Sequence, residues 1–203
     1  RLVISVDKSD SLDVLQVAQN FEWKFGTKEI ITHLVNLGLR EHILTCGDLT
    51  QKYENIILLE DDLIVSPYFY DYAQQAQQYY RHHKEVQGIS LYSYQVAENR
   101  FFPFYPIHDV SDVHFIQIPS SWGEVFSRDR WAEFRTWYDA QNNLFDESNL
   151  PAYVQEWGES SWKKKLVNYM LLKDKYFVFP NVSYSSNFSD PGVNSDRKGL
   201  FQV

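Results

Sequence analysis

The sequence predicts an α/β fold with a Rossmann-like, mostly parallel central sheet flanked by helices, and two features carry that expectation. Four consecutive apolar residues, Ile56 to Leu59, are too few for an unbroken helix and read as a strand buried on both faces. Nearer the amino end, a β-branched run (Leu2 to Val6), a helical spacing (Val14, Val17, Ala18, Phe21) and a second apolar run (Glu29 to His33) make a βαβ unit, which implies parallel strands. The chain has 203 residues, 44% hydrophobic and 17% aromatic, which is enough for one domain with a full core and excludes disorder. Residues 1–203 are therefore read as one domain.

Each further element has its own signal. Ser9-Asp10-Ser11 offers caps to the first helix, and Asp7 closes the first strand, where it serves equally well as a turn residue or at a ligand. Asn36 to Arg40 opens a helix with Leu39, Ile43 and Cys46 on one face, which makes Cys46 a small core residue. Arg40 opposes the macrodipole preference there; a solvated side chain is the common reason, a diphosphate the alternative. Ser66 and Pro67 precede a long helix with Phe69, Tyr72, Ala73, Ala76 and Tyr80 inward. Gln87 to Leu91 reads as a strand, Tyr92 to Ile107 as a loop rich in Tyr94, Phe101, Phe102, Phe104 and Tyr105, and Val113 to Ile118 as a strand. Trp122-Gly123-Glu124 reads as a turn in which Gly123 lets backbone approach a ligand and Trp122 either stacks on it or fills the core. A helix through Trp131, Phe134 and Tyr138 follows, then an irregular stretch to Ala152, a helix with Leu166, Tyr169 and Met170, a strand from Tyr176 to Phe179, and a polar loop from Pro180 to Asp196.

Three acids, Glu60-Asp61-Asp62, directly follow the central strand. Adjacent carboxylates repel one another and are costly to desolvate, so a strand end built this way calls for a cation or hydrogen-bond donors. Ser66 and Pro67 suffice to start the next helix, which leaves the acids unexplained by capping. A hard divalent ion, Mn²⁺ or Mg²⁺, takes one or two protein carboxylates and completes its shell with water and phosphate oxygens.

The net charge of −8 argues against binding a nucleic-acid backbone or an anionic membrane. Cys46 is the sole cysteine, so no intrachain disulfide forms, and no run of 18 apolar residues marks a transmembrane span. Asn181-Val-Ser and Asn187-Phe-Ser match the glycosylation tripeptide, a pattern too frequent to assign a compartment.

Glu60 to Tyr72, as Glu-Asp-Asp-Leu-x-Val-x-Pro-x-Phe-x-x-Tyr, resembles the metal-binding segment of the inverting N-acetylglucosaminyltransferases that start complex N-glycan branching and of the related O-mannose enzyme. Ile4-Ser-Val-Asp7, Gly88-Ile-Ser-Leu-Tyr, the stretch from Ser121-Trp-Gly-Glu to Trp131-Ala-Glu, and Pro180-Asn-Val-Ser-Tyr to Gly192 resemble further parts of that family, so that the likeness spans most of the chain. The acidic segment is the specific part. The resemblance implies a GT-A fold, a UDP-sugar donor, a glycan or other hydroxyl acceptor, and Mn²⁺ or Mg²⁺. It places Asp62 on the metal, Glu60 and Asp61 on ribose and sugar hydroxyls or metal-bound water, Asp7 on the uracil, and Arg40, Trp122 and Gly123 along the nucleotide-sugar. Three departures stand out. The family's first βα unit is absent before Arg1, which points to an amino end that continues; its Trp-Asp-x-Trp base segment has no literal copy; and Asn194 stands where some relatives have a loop histidine. The family setting would be the Golgi lumen for a trimmed eukaryotic domain and the cytoplasm for a microbial one.

Inversion needs a base for the attacking hydroxyl. Glu159 comes first, because it precedes a helix in the right part of the order, then Glu156 and Glu124; any of these is also an ordinary carboxylate near a helix start. Two rival readings remain. One is a sugar- or nucleotide-binding module of the same fold without turnover, and the other a metal-dependent nuclease or phosphatase, which lacks residues for a second metal.

Overall fold

The computed structural model describes residues 1–97, 102–107, 109–141 and 146–187. Phe101, Gly192 and Asn194, and the polar loop beyond residue 187, lie outside the described residues. The chain forms two compact units: Arg1–Cys46 with Gly158–Trp162, and Gly47–Trp157 with Lys163–Val203.

In the smaller unit β1 (Leu2–Val6) and β2 (Lys28–Thr32) pair in parallel, Leu2 opposite Lys28 and Val6 opposite Thr32, with α1 (Asp13–Asn20) between them. This is the expected βαβ unit. Ser11 Oγ accepts the Asp13 N–H at 3.2 Å at the start of α1, while Lys28 Nζ donates to the carbonyls of Ala18, Gln19 and Phe21 at its end. Those are the carbonyls a helix leaves open, and a cation suits the negative end of its dipole. Ser5 Oγ lies 2.8 Å from His42 Nε2 and 3.2 Å from His33 Nε2, tying β1 to the end of β2 and to α2 (Gly38–Asp48). Cys46 on α2 is buried and reduced, as a core residue should be.

The larger unit is built on a five-stranded sheet of order β3-β7-β5-β8-β6. Its strands are β3 (Asn55–Leu58), β5 (Val86–Ser90), β6 (Val113–Ile116), β7 (Glu124–Ser127) and β8 (Tyr176–Pro180), and the short pair β4 (Leu63–Val65) and β9 (Ser185–Asn187) lies outside it. The α/β class holds, but this sheet is mixed, which corrects the expectation of a mostly parallel one. Only β5 and β8 pair in parallel; β7 runs against both β3 and β5, and β6 against β8. A continuous apolar run reports burial on both faces and carries no direction, so β3 and β8 read alike in either setting. β7, β4 and β9 were not foreseen as strands, being three or four residues long.

The register sorts the side chains. Ile57, Ile89, Val125 and Val178 share one face, where Ala73 and Ala76 of α4 (Phe69–Tyr80) close the core with Phe69, Tyr72 and Tyr80 packed beside them. Leu58, Ser90, Glu124, Phe126 and Phe177 share the other, because directly opposed residues project to one side. That face is covered by α5 (Arg128–Ala140), whose Trp131 ring packs 4.8 Å from Phe126, and Tyr169 of α7 (Trp162–Lys173) packs in turn against Phe134 of α5 at 5.6 Å. Trp131 Nε1 donates to Asp48 Oδ1 at 2.7 Å, satisfying the indole inside the core.

Gly88 leaves room for Phe177 on the neighbouring strand: a Cβ there would stand 2.5 Å from the ring. Overpacking of this kind costs about 1–3 kcal/mol. Gly88→Ala should therefore lower the denaturant midpoint with an unchanged m-value; a midpoint at or above that of the parent would contradict the packing described.

Candidate functional site

Since β7 opposes both β3 and β5, those two strands point the same way, and β8 joins them by pairing in parallel with β5. Their carboxyl ends share one edge of the sheet, the edge at which open α/β sheets bind ligands. Glu60-Asp61-Asp62 leaves β3 at this edge, and Glu124 opens β7 there, opposite Leu58 and Ser90. Asp61 and Asp62 are exposed, Glu60 is half-buried and Glu124 is 1% exposed.

Burial, and then repulsion from Asp62 and Asp61, push the Glu60 carboxyl up to about 7, with the Lys163 ammonium pulling the other way. Glu124 is raised well above the usual carboxylate range by burial and then by Glu60, again opposed by Lys163. The Lys163 ammonium thus acts on both carboxyls and offsets part of the rise that burial causes. Lys163 comes from the first turn of α7, and its Nζ stands 4.9 Å from the Trp157 ring centroid. Asp62 Oδ2 accepts a hydrogen bond of 2.7 Å from Asn187 Nδ2, which fixes the last acid across the β4–β9 pair.

The turn before Glu124 is held tightly. Gly123 adopts φ +95°, a conformation only glycine takes without strain, and a Cβ there would meet Leu91 at 3.0 Å and Leu59 at 3.3 Å. Its carbonyl accepts the Leu91 N–H at 2.9 Å, and the Trp122 carbonyl accepts Ser185 Oγ. The Trp122 ring is half-buried, edge-on to Tyr92 at 4.5 Å between centroids.

Other expected residues have evident structural partners. In the smaller unit, Asp7 accepts the backbone N–H groups of Lys8 and Leu37 at Oδ1 and of Gly38 at Oδ2, so it caps α2 from thirty residues away. Those bonds more than offset the effect of desolvation and hold its carboxyl below the usual range. Arg40 donates Nη1 to the Glu159 carbonyl at 2.7 Å and Nε to Glu41 at 3.2 Å. The Glu159 side chain is exposed. Glu156, in the larger unit, is exposed at the end of the short helix α6 (Ala152–Gln155).

Sequence reasoning missed Lys163 and Asn187. Three successive lysines, 163 to 165, at the positive end of a helix were a readable sign that neighbouring anions hold at least one of them. Asn187 drew notice only as part of a glycosylation tripeptide. Among the described residues no group of three or more His, Cys, Asp and Glu is placed to hold a metal ion. No family model matches the chain, and no curated protein matches it.

The Glu60 shift sets a pH dependence. Below the ordinary value of 4.5 both folded and unfolded chains carry the proton; between 4.5 and about 7 the unfolded chain releases it while the fold retains it, so stability falls as pH rises through that window. In metal-free protein the slope of stability against pH between 4.5 and 7 should be less negative, or more positive, in Glu60→Gln than in the parent, the difference being the Glu60 contribution. Equal slopes in urea titrations would contradict the burial of Glu60.

Proposed function

We propose that this chain is a metal-dependent glycosyltransferase of GT-A fold that moves a sugar, N-acetylglucosamine by the resemblance of its acidic segment, from a UDP-sugar to a hydroxyl acceptor with inversion. The observation that carries the reading is the placing of Glu60, Asp61, Asp62 and buried Glu124 at the shared carboxyl edge of β3, β5 and β8, with the Lys163 ammonium acting on Glu60 and Glu124. Such an edge rejects a bare anion and accepts a diphosphate only with a divalent cation between.

Asp62, exposed and oriented by Asn187, is the residue to hold Mn²⁺ or Mg²⁺. When bound, that ion neutralises the charge of the leaving diphosphate. Glu60 and Asp61 would take hydroxyls of ribose and sugar, since a carboxylate accepts from a neutral O–H at little cost. Lys163 lowers the proton affinity of both Glu60 and Glu124. The base must meet the acceptor, so it is sought in an exposed carboxylate, Glu159 or Glu156; Glu124 is closed off from solvent.

Two variants test the reading. Asp62→Ala should abolish the Mn²⁺ requirement and most of the affinity for UDP in calorimetry, at a stability cost within about 1 kcal/mol, the worth of its one hydrogen bond. UDP binding with an unchanged Mn²⁺ requirement would refute the metal assignment. For the base, Glu159→Gln or Glu156→Gln should cut turnover by roughly 10² or more with donor affinity preserved. If both variants transfer sugar at full rate, an inverting base at these positions is excluded.

A further inference from the structure

The buried carboxyl of Glu124 has a use that the metal and the base leave unfilled. It is 1% exposed, yet among the described residues Oε1 has no hydrogen-bond partner. An orphaned acceptor in a dry site is costly, and folds that serve packing alone replace it by an apolar side chain. The register places it: Glu124 opposes Leu58 and Ser90 at the carboxyl ends of β3 and β5, where Glu60 lies close enough to act on it. The turn that leads into it is lined by apolar and aromatic side chains: Leu59 and Leu91 stand where a Cβ on Gly123 would meet them, and the Trp122 ring is edge-on to Tyr92. With Glu60 close enough to repel it, the missing partner is not an anion. It is a neutral group that donates a hydrogen bond, and a hydroxyl serves best because it can also accept.

We propose that Glu124 is a specificity-determining residue which holds a hydroxyl or amide N–H of the donor sugar, so that the sugar ring lies against the Trp122–Gly123 turn while the diphosphate stays on the Asp62 side. This rests on the nucleotide-sugar reading above. It assigns a partner to a carboxyl of the edge that is buried and unpaired among the described residues. The group is paired only when the sugar is present, and UDP alone leaves it orphaned.

The test separates the sugar from the nucleotide. UDP and UDP-N-acetylglucosamine are titrated by calorimetry with Mn²⁺ into the parent protein, Glu124→Gln and Glu124→Leu, and thermal midpoints are read without ligand. The proposal expects UDP to bind all three proteins within about twofold, and the gain in affinity from the sugar to fall by roughly 10-fold in Glu124→Leu, as for loss of one buried hydrogen bond, and by less in Glu124→Gln. Midpoints should stay level or rise, because each variant removes an unpaired buried acid. A sugar gain unchanged in both variants overturns the proposal and leaves the nucleotide reading standing. A lowered midpoint in both marks Glu124 as structural and also overturns it. Failure of the parent to bind UDP with Mn²⁺ removes the nucleotide reading and this inference with it.

Discussion

Two carboxyl groups drawn out of water on one face of a sheet, with one ammonium against them, are the constraint around which the larger unit is arranged. Burial and then Glu60 raise the proton affinity of Glu124, burial and then Asp62 and Asp61 raise that of Glu60, and Lys163 offsets only part of each. Desolvated like charges are among the most expensive things a fold can hold, and a purely structural purpose is met more cheaply by leucine. The cost is tolerable because the neighbouring packing is deep: Phe126, Phe134, Phe177 and Phe179 are fully buried, and Trp131 lies among them with its indole N–H satisfied by Asp48.

The remaining features of the edge follow from holding those groups in place. Gly123 turns the chain at positive φ so that Glu124 enters β7 in register with Leu58 and Ser90, and the backbone bonds of the turn to Leu91 and Ser185 fix it on both sides. α7 delivers Lys163 in its first turn, with Lys164 anchored to the carbonyls of Gln155 and Trp157 and to Glu147 at 2.9 Å. The β4–β9 pair carries Asn187 to Asp62. A sequence change at any of these places acts on the acids through position and not through charge.

How far this was legible in the chain depends on the range of the forces involved. Helical stripes such as Phe69, Tyr72, Ala73, Ala76 and Tyr80, and the apolar runs of β1, β3, β5 and β8, express burial within a few residues, and they read correctly. Strand direction did not, since burial on two faces leaves the same pattern in a parallel or a mixed sheet. Glu124 was visible as an acid after a glycine turn, but its burial depends on pairing with strands more than thirty residues away in sequence. The cap that Asp7 gives to α2 and the bond from Asn187 to Asp62 join residues thirty and 125 apart, beyond the reach of any local capping pattern. Lys163 was the exception, readable from three lysines set against a helix dipole.

The central claim is that the acidic edge holds a divalent ion through Asp62 for a nucleotide diphosphate. An anomalous difference map from crystals soaked with Mn²⁺ and UDP addresses it directly. The account predicts a manganese peak about 2 Å from an Asp62 carboxylate oxygen, with diphosphate oxygens completing its shell. UDP bound with the manganese elsewhere, or bound at that edge without it, would contradict the account.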